Sequence, residues 1–123
     1  MADALARLTG RPGIVTAQNG PAAALLVPPL AECMKASVSV IALVQEVNRH
    51  QTDRNAFQEL DHTALFSYCA KWVRRVTEAS RAEDYLDMAF VAACSGRPGP
   101  STLIEVMCSA DAYPPIMLFT PEQ

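Results

Sequence analysis

Side chains capable of chemistry cluster in one short motif of this 123-residue sequence, Phe57-Gln58-Glu59 followed by Asp61. An aromatic residue followed by an amide and two acids is an unusual composition for a connecting loop. Amide and carboxylate groups are hydrogen-bonding groups, and they often bond the backbone of their own loop. From these residues alone, a capped loop is the simpler interpretation of Gln58 and Glu59.

The remaining reactive side chains lack the spacing that metal binding or nucleophilic catalysis requires. His50 and His62 have no nucleophile or carboxylate at a spacing typical of catalysis, so we expect both to be exposed loop residues. No serine lies in a nucleophile-elbow motif. The sequence contains no Cys-x-x-Cys pair, so we expect no metal site and interpret the cysteines as buried, reduced thiols. The four cysteines are Cys33, Cys69, Cys94 and Cys108.

Composition and charge indicate a single globular domain. Hydrophobic residues make up 50% of the chain, charged residues make up 19%, and the formal net charge is −3. Because positive charge is nowhere concentrated, we expect no nucleic-acid or anionic-membrane partner. We find neither the run of about 18 apolar residues that a membrane span needs nor a signal peptide at the N-terminus, and we therefore expect a cytoplasmic protein.

Short, mostly β-branched runs bracketed by turn residues predict four strands. The residues between the second and third runs are polar or irregular, so Glu46 is expected to open a solvated loop and residues 57–66 to be irregular or briefly helical. Tyr113-Pro114-Pro115 is expected to begin an extended tail. The predicted strands are residues 13–17, 39–44, 71–76 and 102–107.

Helical patterns occupy segments before and between these strands. Residues 2–8 predict a short helix that ends at Gly10, where a left-handed conformation suits glycine. Pro21 suits the first position of the next helix, which is predicted over residues 22–36. That helix is expected to break near Pro28-Pro29, because an interior proline removes a hydrogen bond and clashes with the preceding turn.

The strongest local helix signals follow Ser80. Ser80 and Glu83 have the spacing of a capping box, and Gly96 marks the end of the segment. A stripe of apolar residues at helical spacing is predicted to face the core. The stripe consists of Ala82, Tyr85, Leu86, Ala89, Phe90 and Ala93.

Strands that alternate with helices predict an α/β fold, since parallel strands are joined by helical crossovers. The segments over residues 13–17 and 39–44 have nearly continuous rather than alternating apolar residues, as expected for strands that are buried on both faces. We therefore predict a partial doubly wound parallel sheet of about four strands, with helices on both faces.

Four motifs occur in the order in which one enzyme family carries them. They are the run from Met1 to Gly13 that ends Thr9-Gly10-Arg11-Pro12-Gly13, then Asn19-Gly20-Pro21, then Phe57-Gln58-Glu59 with Asp61, and finally Gly96-Arg97-Pro98-Gly99-Pro100. This ordered set resembles the pyrimidine-binding domain of thiamine-diphosphate-dependent enzymes of the acetolactate synthase and 2-oxo-acid decarboxylase type.

The resemblance implies thiamine diphosphate with Mg²⁺ as the cofactor. It implies that Gly20, Pro21 and Gln58 are cofactor-binding residues. It also implies a homo-oligomer, or a partner subunit that carries the diphosphate-binding domain.

The chain departs from the family pattern at the positions that activate the cofactor. Ala22 and Leu25 replace a glycine and an asparagine of the family's pocket motif, and the activating glutamate would align just before Met1. No aspartate has the flanking glycines of the Gly-Asp-Gly motif that holds Mg²⁺ and diphosphate. We therefore expect a fragment or short form of a 2-oxo-acid lyase or carboligase, with no catalytic residue of its own and no activity alone. The alternative is a non-catalytic interaction module or subunit that associates with a partner domain.

The C-terminal residues follow a different pattern from the rest. Residues 101–106 and Tyr113-Pro114-Pro115 resemble the last strand and tail of the family's diphosphate-binding domain. We therefore divide the chain into a truncated pyrimidine-binding domain, residues 1–100, and a final strand with an extended tail, residues 101–123.

Overall fold

The computed structural model describes residues 1–100 and the backbone of residues 102–107. It contains a four-stranded sheet with strand order β1-β2-β4-β3, in which all neighbours are parallel. The predicted parallel α/β sheet is therefore confirmed, and the predicted tail lies outside the described residues. The strands are β1 Gly13–Ala17, β2 Val40–Glu46, β3 Trp72–Val76 and β4 Thr102–Met107.

The second strand, β2, explains why this sheet needs helices on both sides. Val40, Ala42 and Val44 point into one apolar cluster, whereas Ile41 points into a second cluster on the opposite face. Successive side chains of a strand alternate between the two faces, so a continuous apolar run must be covered twice.

Four short helices cover one face and one longer helix covers the other. The first cluster contains buried residues from all four short helices, and the second is formed by β2, β3 and the longer helix. Helices on both faces are thus confirmed. The helices are α1 Ala2–Thr9, α2 Pro21–Ala24, α3 Val27–Ala36, α4 His62–Phe66 and α5 Ala82–Cys94, with single 3₁₀ turns at Arg49–Gln51 and Ala79–Arg81.

The prolines of the second helical segment act differently from the prediction. The chain leaves the helix at Leu25 and Leu26, and α3 then starts at Val27 with prolines in its first turn. The first helical N–H groups have no intrahelical acceptor, so Pro28 and Pro29 lose little there and favour a new helix start.

The predicted capping box at the start of α5 is wrong. The helix begins after Arg81, and no side chain among residues 1–100 caps its first turn. Its other end is capped instead. The ammonium group of Lys71 donates hydrogen bonds to the carbonyl oxygens of Ala92, Ser95 and Arg97 at 2.9, 2.9 and 3.0 Å. These bonds satisfy carbonyls that the end of the helix leaves unpaired and place a positive charge at its negative pole.

The core face of α5 is narrower than the predicted stripe. Ala89 and Ala93 are fully buried, but the side chain of Phe90 is 36% exposed, so its assignment to the core is wrong. On the same side of the sheet, Ile14 of β1 is 49% exposed. α5 therefore covers the sheet around β2 and β3 and leaves β1 open on that side.

The cysteines do not share one environment. Cys33 and Cys69 are buried as predicted, Cys94 is exposed, and Cys108 lies outside the described residues. Burial raises the pKa of the Cys33 thiol to about 11 and also raises the pKa of Cys69. These two thiols are packing residues rather than nucleophiles.

Candidate functional site

The candidate site lies beyond the carboxyl ends of β1 and β2. The Asn19-Gly20-Pro21 turn follows β1 directly, and the loop that carries Gln58 connects β2 to α4. Because both strands run parallel, their following loops emerge at the same edge of the sheet. Ligands of open α/β sheets usually bind at this edge.

Gly20 and Gln58, which are far apart in sequence, are in direct contact. A Cβ atom added to Gly20 would lie only 2.6 Å from the carbonyl oxygen of Gln58 and 2.8 Å from its Cβ. Gly20 has φ 63° and ψ −124°, a conformation that residues with a Cβ atom rarely adopt. Asn19 Nδ2 also reaches the Gln58 carbonyl oxygen, at 3.5 Å. The turn and the loop can therefore approach each other this closely only because Gly20 has no side chain.

Gln58 has a strained backbone that its loop holds in place. Its φ of 62° lies in the left-handed region, which costs a residue with a side chain roughly 1–2 kcal/mol. The next residue, Glu59, fastens the loop: its carboxylate accepts hydrogen bonds from the backbone N–H groups of Asp53 and Ala56, at 2.6 and 2.9 Å. Hydrogen bonds from Ala56 and then Asp53 lower the pKa of Glu59. The capped-loop interpretation thus holds for Glu59, whose two oxygens are both engaged.

The side chains of the three candidate residues differ in exposure. Pro21 is exposed on the first turn of α2, and Gln58 is half-buried, whereas Gly20 is buried beneath them. Asp61 has a structural role, because its Oδ1 accepts the Ala64 N–H at 3.1 Å and caps α4. The structure therefore brings Gly20, Pro21 and Gln58 together and assigns Asp61 to the scaffold.

His62 is the residue that the sequence interpretation missed. The sequence predicts an exposed loop position for His62, and this prediction is wrong: the residue is fully buried at the start of α4. Its Nε2 lies 3.1 Å from the backbone nitrogen of Gly20, which donates to it. A sequence signal did exist, because His62 shares helical spacing with a set of buried or half-buried apolar residues. That set is Leu65, Phe66 and Cys69.

Glu46 is the partner of His62 and is not solvated, contrary to expectation. It is the last residue of β2 and only 6% exposed. Its Oε2 lies 3.2 Å from Nδ1 of His62 and 3.5 Å from Nη2 of Arg75, and its Oε1 accepts the Val47 N–H at 2.9 Å. The strand continues two residues beyond the predicted end and carries the carboxylate into the interior. A buried carboxylate with these partners is well satisfied.

A cleft of about 370 Å³ opens beside this network. Glu46 and Arg75 form part of its wall, so the buried pair borders both the cleft and the Gly20 turn. Thr52 Oγ1, also in the wall, has no hydrogen-bond partner within the described residues. The lining residues are Glu46, Thr52, Asp53, Glu59, Leu60, Asp61, Thr63 and Arg75.

The described residues contain neither a metal-binding cluster nor a membrane-spanning helix. No group of three or more histidine, cysteine, aspartate or glutamate residues within them is placed to hold a metal ion. None of the helices in the described part of the chain is long and apolar enough to cross a lipid bilayer.

Comparison with known proteins identifies one enzyme family and several acetolactate synthases as similar to this chain. Residues 1–65 match the family described as thiamine pyrophosphate enzyme, N-terminal TPP binding domain. The chain is 33% identical over 100 residues to the mitochondrial acetolactate synthase catalytic subunit of Saccharomyces cerevisiae, an alignment covering 81% of this chain and 15% of the yeast protein. It is 37% identical over 95 residues to the acetolactate synthase isozyme 2 large subunit of Escherichia coli, covering 77% of this chain and 17% of that protein.

A mycobacterial relative aligns over a longer stretch. The acetolactate synthase of Mycobacterium bovis is 34% identical over 122 residues, which covers 94% of this chain and 20% of the relative. The chain thus spans between 15% and 20% of the length of these three proteins. The family match alone covers more than half of the chain, and it includes the Gly20 turn and the Gln58 loop. The chain therefore belongs to the thiamine pyrophosphate enzyme family, and its N-terminal part matches the TPP-binding domain.

Proposed function

We propose that this chain supplies the pyrimidine side of a thiamine diphosphate site in a 2-oxo-acid lyase or carboligase of the acetolactate synthase type. The observation that carries the proposal is the contact between Gly20 and Gln58. The family resemblance assigns two motifs to cofactor binding, and they come into contact where Gly20 lies against Gln58, beyond the carboxyl ends of β1 and β2. This place is called the corner below, and the contact leaves no room for a Cβ atom on residue 20. Coincidence of two rare backbone conformations at one point is typical of binding sites.

The residues at this corner fit the ring end of the cofactor. Pro21 offers an exposed apolar ring, and half-buried Gln58 carries an amide that can donate and accept hydrogen bonds. A flat, polar heteroaromatic ring needs apolar contact on its face and a few polar groups at its edge. Gly20, Pro21 and Gln58 would therefore hold the aminopyrimidine. Thiamine diphosphate, when bound, supplies the carbon nucleophile and electron sink for cleaving or forming bonds next to a carbonyl.

The proposal divides the catalytic site between this chain and a partner. The two described glutamates nearest the corner are occupied: Glu59 caps its loop, and Glu46 bonds His62, Val47 and Arg75. Neither is free to activate the cofactor. The Gly-Asp-Gly motif does not occur in the sequence. We therefore propose that Mg²⁺ and the diphosphate are held by a partner subunit carrying the diphosphate-binding domain, and that neither one copy of the chain nor a homo-oligomer of it turns over 2-oxo acids.

The proposed organisation extends to the chain boundaries and the compartment. Residues 1–100 would form the pyrimidine-binding unit, and residues 101–123 would add the final strand and tail. The free thiols at Cys33, Cys69 and Cys94 support a reducing, cytosolic setting.

A non-catalytic interaction module is the second candidate, and exposed apolar side chains favour it. Large hydrophobic residues on several elements are mostly exposed, and such surface is usually covered by a partner. They include Leu8 at 86%, Leu25 at 76%, Phe57 at 86%, Tyr68 at 94% and Val91 at 66%. A module of this kind would bind its partner with or without the cofactor.

Titration of the ¹⁵N-labelled chain with thiamine diphosphate and Mg²⁺ tests the proposal. We expect amide shifts at Gly20 and Gln58, weaker binding by Gln58→Ala, and unchanged binding by Gln51→Ala, a matched change in an exposed 3₁₀ turn. Pyruvate added to the same sample should be stable. Saturable shifts elsewhere with none at this corner, or release of CO₂ by the chain alone, would contradict it. Shifts caused only by a partner subunit would favour the interaction module.

A further inference from the structure

We propose that His62 is a positioning residue, which fixes the Gly20 turn through an unprotonated Nε2 while Glu46 holds the ring in one tautomer. The role in cofactor binding rests on the proposed function, because Gly20 belongs to the site assigned there. The geometry of the buried network stands independently of it.

Hydrogen-bond donors define which ring nitrogen carries the proton. The Gly20 nitrogen is a donor only, so Nε2 of His62, 3.1 Å away, must offer a lone pair. The single proton of the neutral ring is then on Nδ1, which faces the Oε2 of Glu46 at 3.2 Å. The other tautomer would place N–H against N–H at Gly20 and a lone pair against the carboxylate. One tautomer therefore satisfies both contacts.

The carboxylate that selects this tautomer is itself fixed. Its Oε1 accepts the Val47 N–H at 2.9 Å, and Arg75 Nη2 lies 3.5 Å from its Oε2. Glu46 ends β2 and Arg75 lies on β3, so the carboxylate is held by the sheet rather than by a loop. A ligating or hydrogen-bonding imidazole oriented by a carboxylate is a common arrangement for keeping a ring in place.

His62 completes the restraint of the Gly20 residue. The carbonyl oxygen of Gly20 accepts the Ala24 N–H at 3.0 Å, so α2 holds that side of the residue. His62 holds the N–H side. Because the N–H and the C=O of Gly20 are both bonded, neither of the two peptide groups that flank Gly20 can rotate without losing a hydrogen bond. The close contact between Gln58 and Gly20 therefore exists before any ligand binds, as a preorganised binding site requires.

Side-chain ¹⁵N NMR of the full chain tests the tautomer directly. We expect His62 to show one neutral form with the proton on Nδ1, and exposed His50 to show signals averaged over its two tautomers. Detection of the His62 proton on Nε2, or of averaging between the two forms, would overturn the inference. This measurement needs neither a variant nor a cofactor.

Hydrogen exchange at the Gly20 amide tests the positioning. His62→Gln keeps an acceptor near the position of Nε2, so exchange should stay within a few-fold of the parent chain, whereas His62→Phe should accelerate it about tenfold or more. His50→Gln and His50→Phe are the matched controls and should change nothing. Equal exchange in His62→Phe and the parent chain would overturn the inference. If His62→Phe does not fold, the tautomer result decides.

Cofactor titration separates the two proposals. Weaker binding of thiamine diphosphate and Mg²⁺ by His62→Phe, restored towards the parent value in His62→Gln, supports positioning of the site. If the parent chain shows no shifts at Gly20 and Gln58, the proposed function fails. The tautomer and exchange results still decide whether His62 fixes the turn.

Discussion

The corner formed by Gly20, Gln58 and His62 is built differently from the α5 face of the sheet. The corner combines two unusual backbone conformations with a buried histidine–carboxylate pair. The α5 face relies on small buried residues, Ala89 and Ala93. Strained backbone and buried polar groups cost stability, and folds retain them mainly where they serve a site. This contrast supports the proposed role of the corner in cofactor binding and a supporting role for α5.

The largest expected difference between the two regions is in the effect of replacing a phenylalanine. Phe66 of α4, adjacent to the corner, is fully buried, whereas Phe90 of α5 is 36% exposed. We expect Phe66→Ala to lower the free energy of unfolding by about 3–5 kcal/mol and Phe90→Ala by about 1 kcal/mol or less. Denaturant unfolding of the two variants gives the difference. Similar losses would show that α5 contributes as much to the core as the corner does.

Two glycines test how tightly the turn and loop are fitted. Both Gly20 and Gly96 have positive φ, but an added Cβ at Gly96 meets nothing within 4 Å. Gly96→Ala should therefore cost only its backbone strain, about 1 kcal/mol. Gly20→Ala adds a clash with the Gln58 backbone and should cost about 3 kcal/mol. Equal costs from thermal unfolding would mean that Gln58 moves away freely and that the contact is not built in.

The lysine cap of α5 tests the supporting side. Lys71→Met removes three hydrogen bonds to the helix end while keeping most of the apolar stem, and we expect a loss of about 1 kcal/mol. Lys35→Met, in the last turn of α3, is the matched control and should be nearly neutral. Amide exchange at the end of α5 should rise only in Lys71→Met. Loss of exchange protection at Gly20 as well would show that support and site are not separable.

Local signals in the sequence were sufficient for most of the fold. β1 and α1 have their own start and stop residues, and α1 does end at Gly10 in a left-handed conformation. The parallel sheet follows from the alternation of such elements. The sequence did not predict how many residues of α5 face the core, because the exposure of Phe90 depends on how much of the sheet lies beneath the helix.

The site was less accessible to sequence reasoning. Resemblance named Gly20, Pro21 and Gln58, but the contact between them and the left-handed conformation of Gln58 exist only in the folded chain. His62 and Glu46 belong to different elements, and their pairing depends on where β2 ends relative to α4. No local pattern encodes such a distance.

The smallest predicted effect concerns the loop that presents Gln58. Backbone hydrogen bonds from Ala56 and Asp53 hold the pKa of Glu59 below its usual value of about 4.3. A lowered pKa in the folded chain means that the bonds contribute fully above the usual value and are lost as the pH falls through the lower, folded one. We therefore expect the Glu59 carboxyl ¹³C signal to titrate below its usual value. At the acid end, the Ala56 and Asp53 amides should show less protection against exchange, relative to the intrinsic rate at the same pH. Glu59→Gln keeps one acceptor oxygen and replaces the other with an NH₂ group, so it should reduce the protection of at least one of these two amides already at pH 7, while the Lys71 cap on α5 stays unchanged. A Glu59 midpoint at or above its usual value would show that the carboxylate does not hold the loop, and would leave the strain at Gln58 without its restraint.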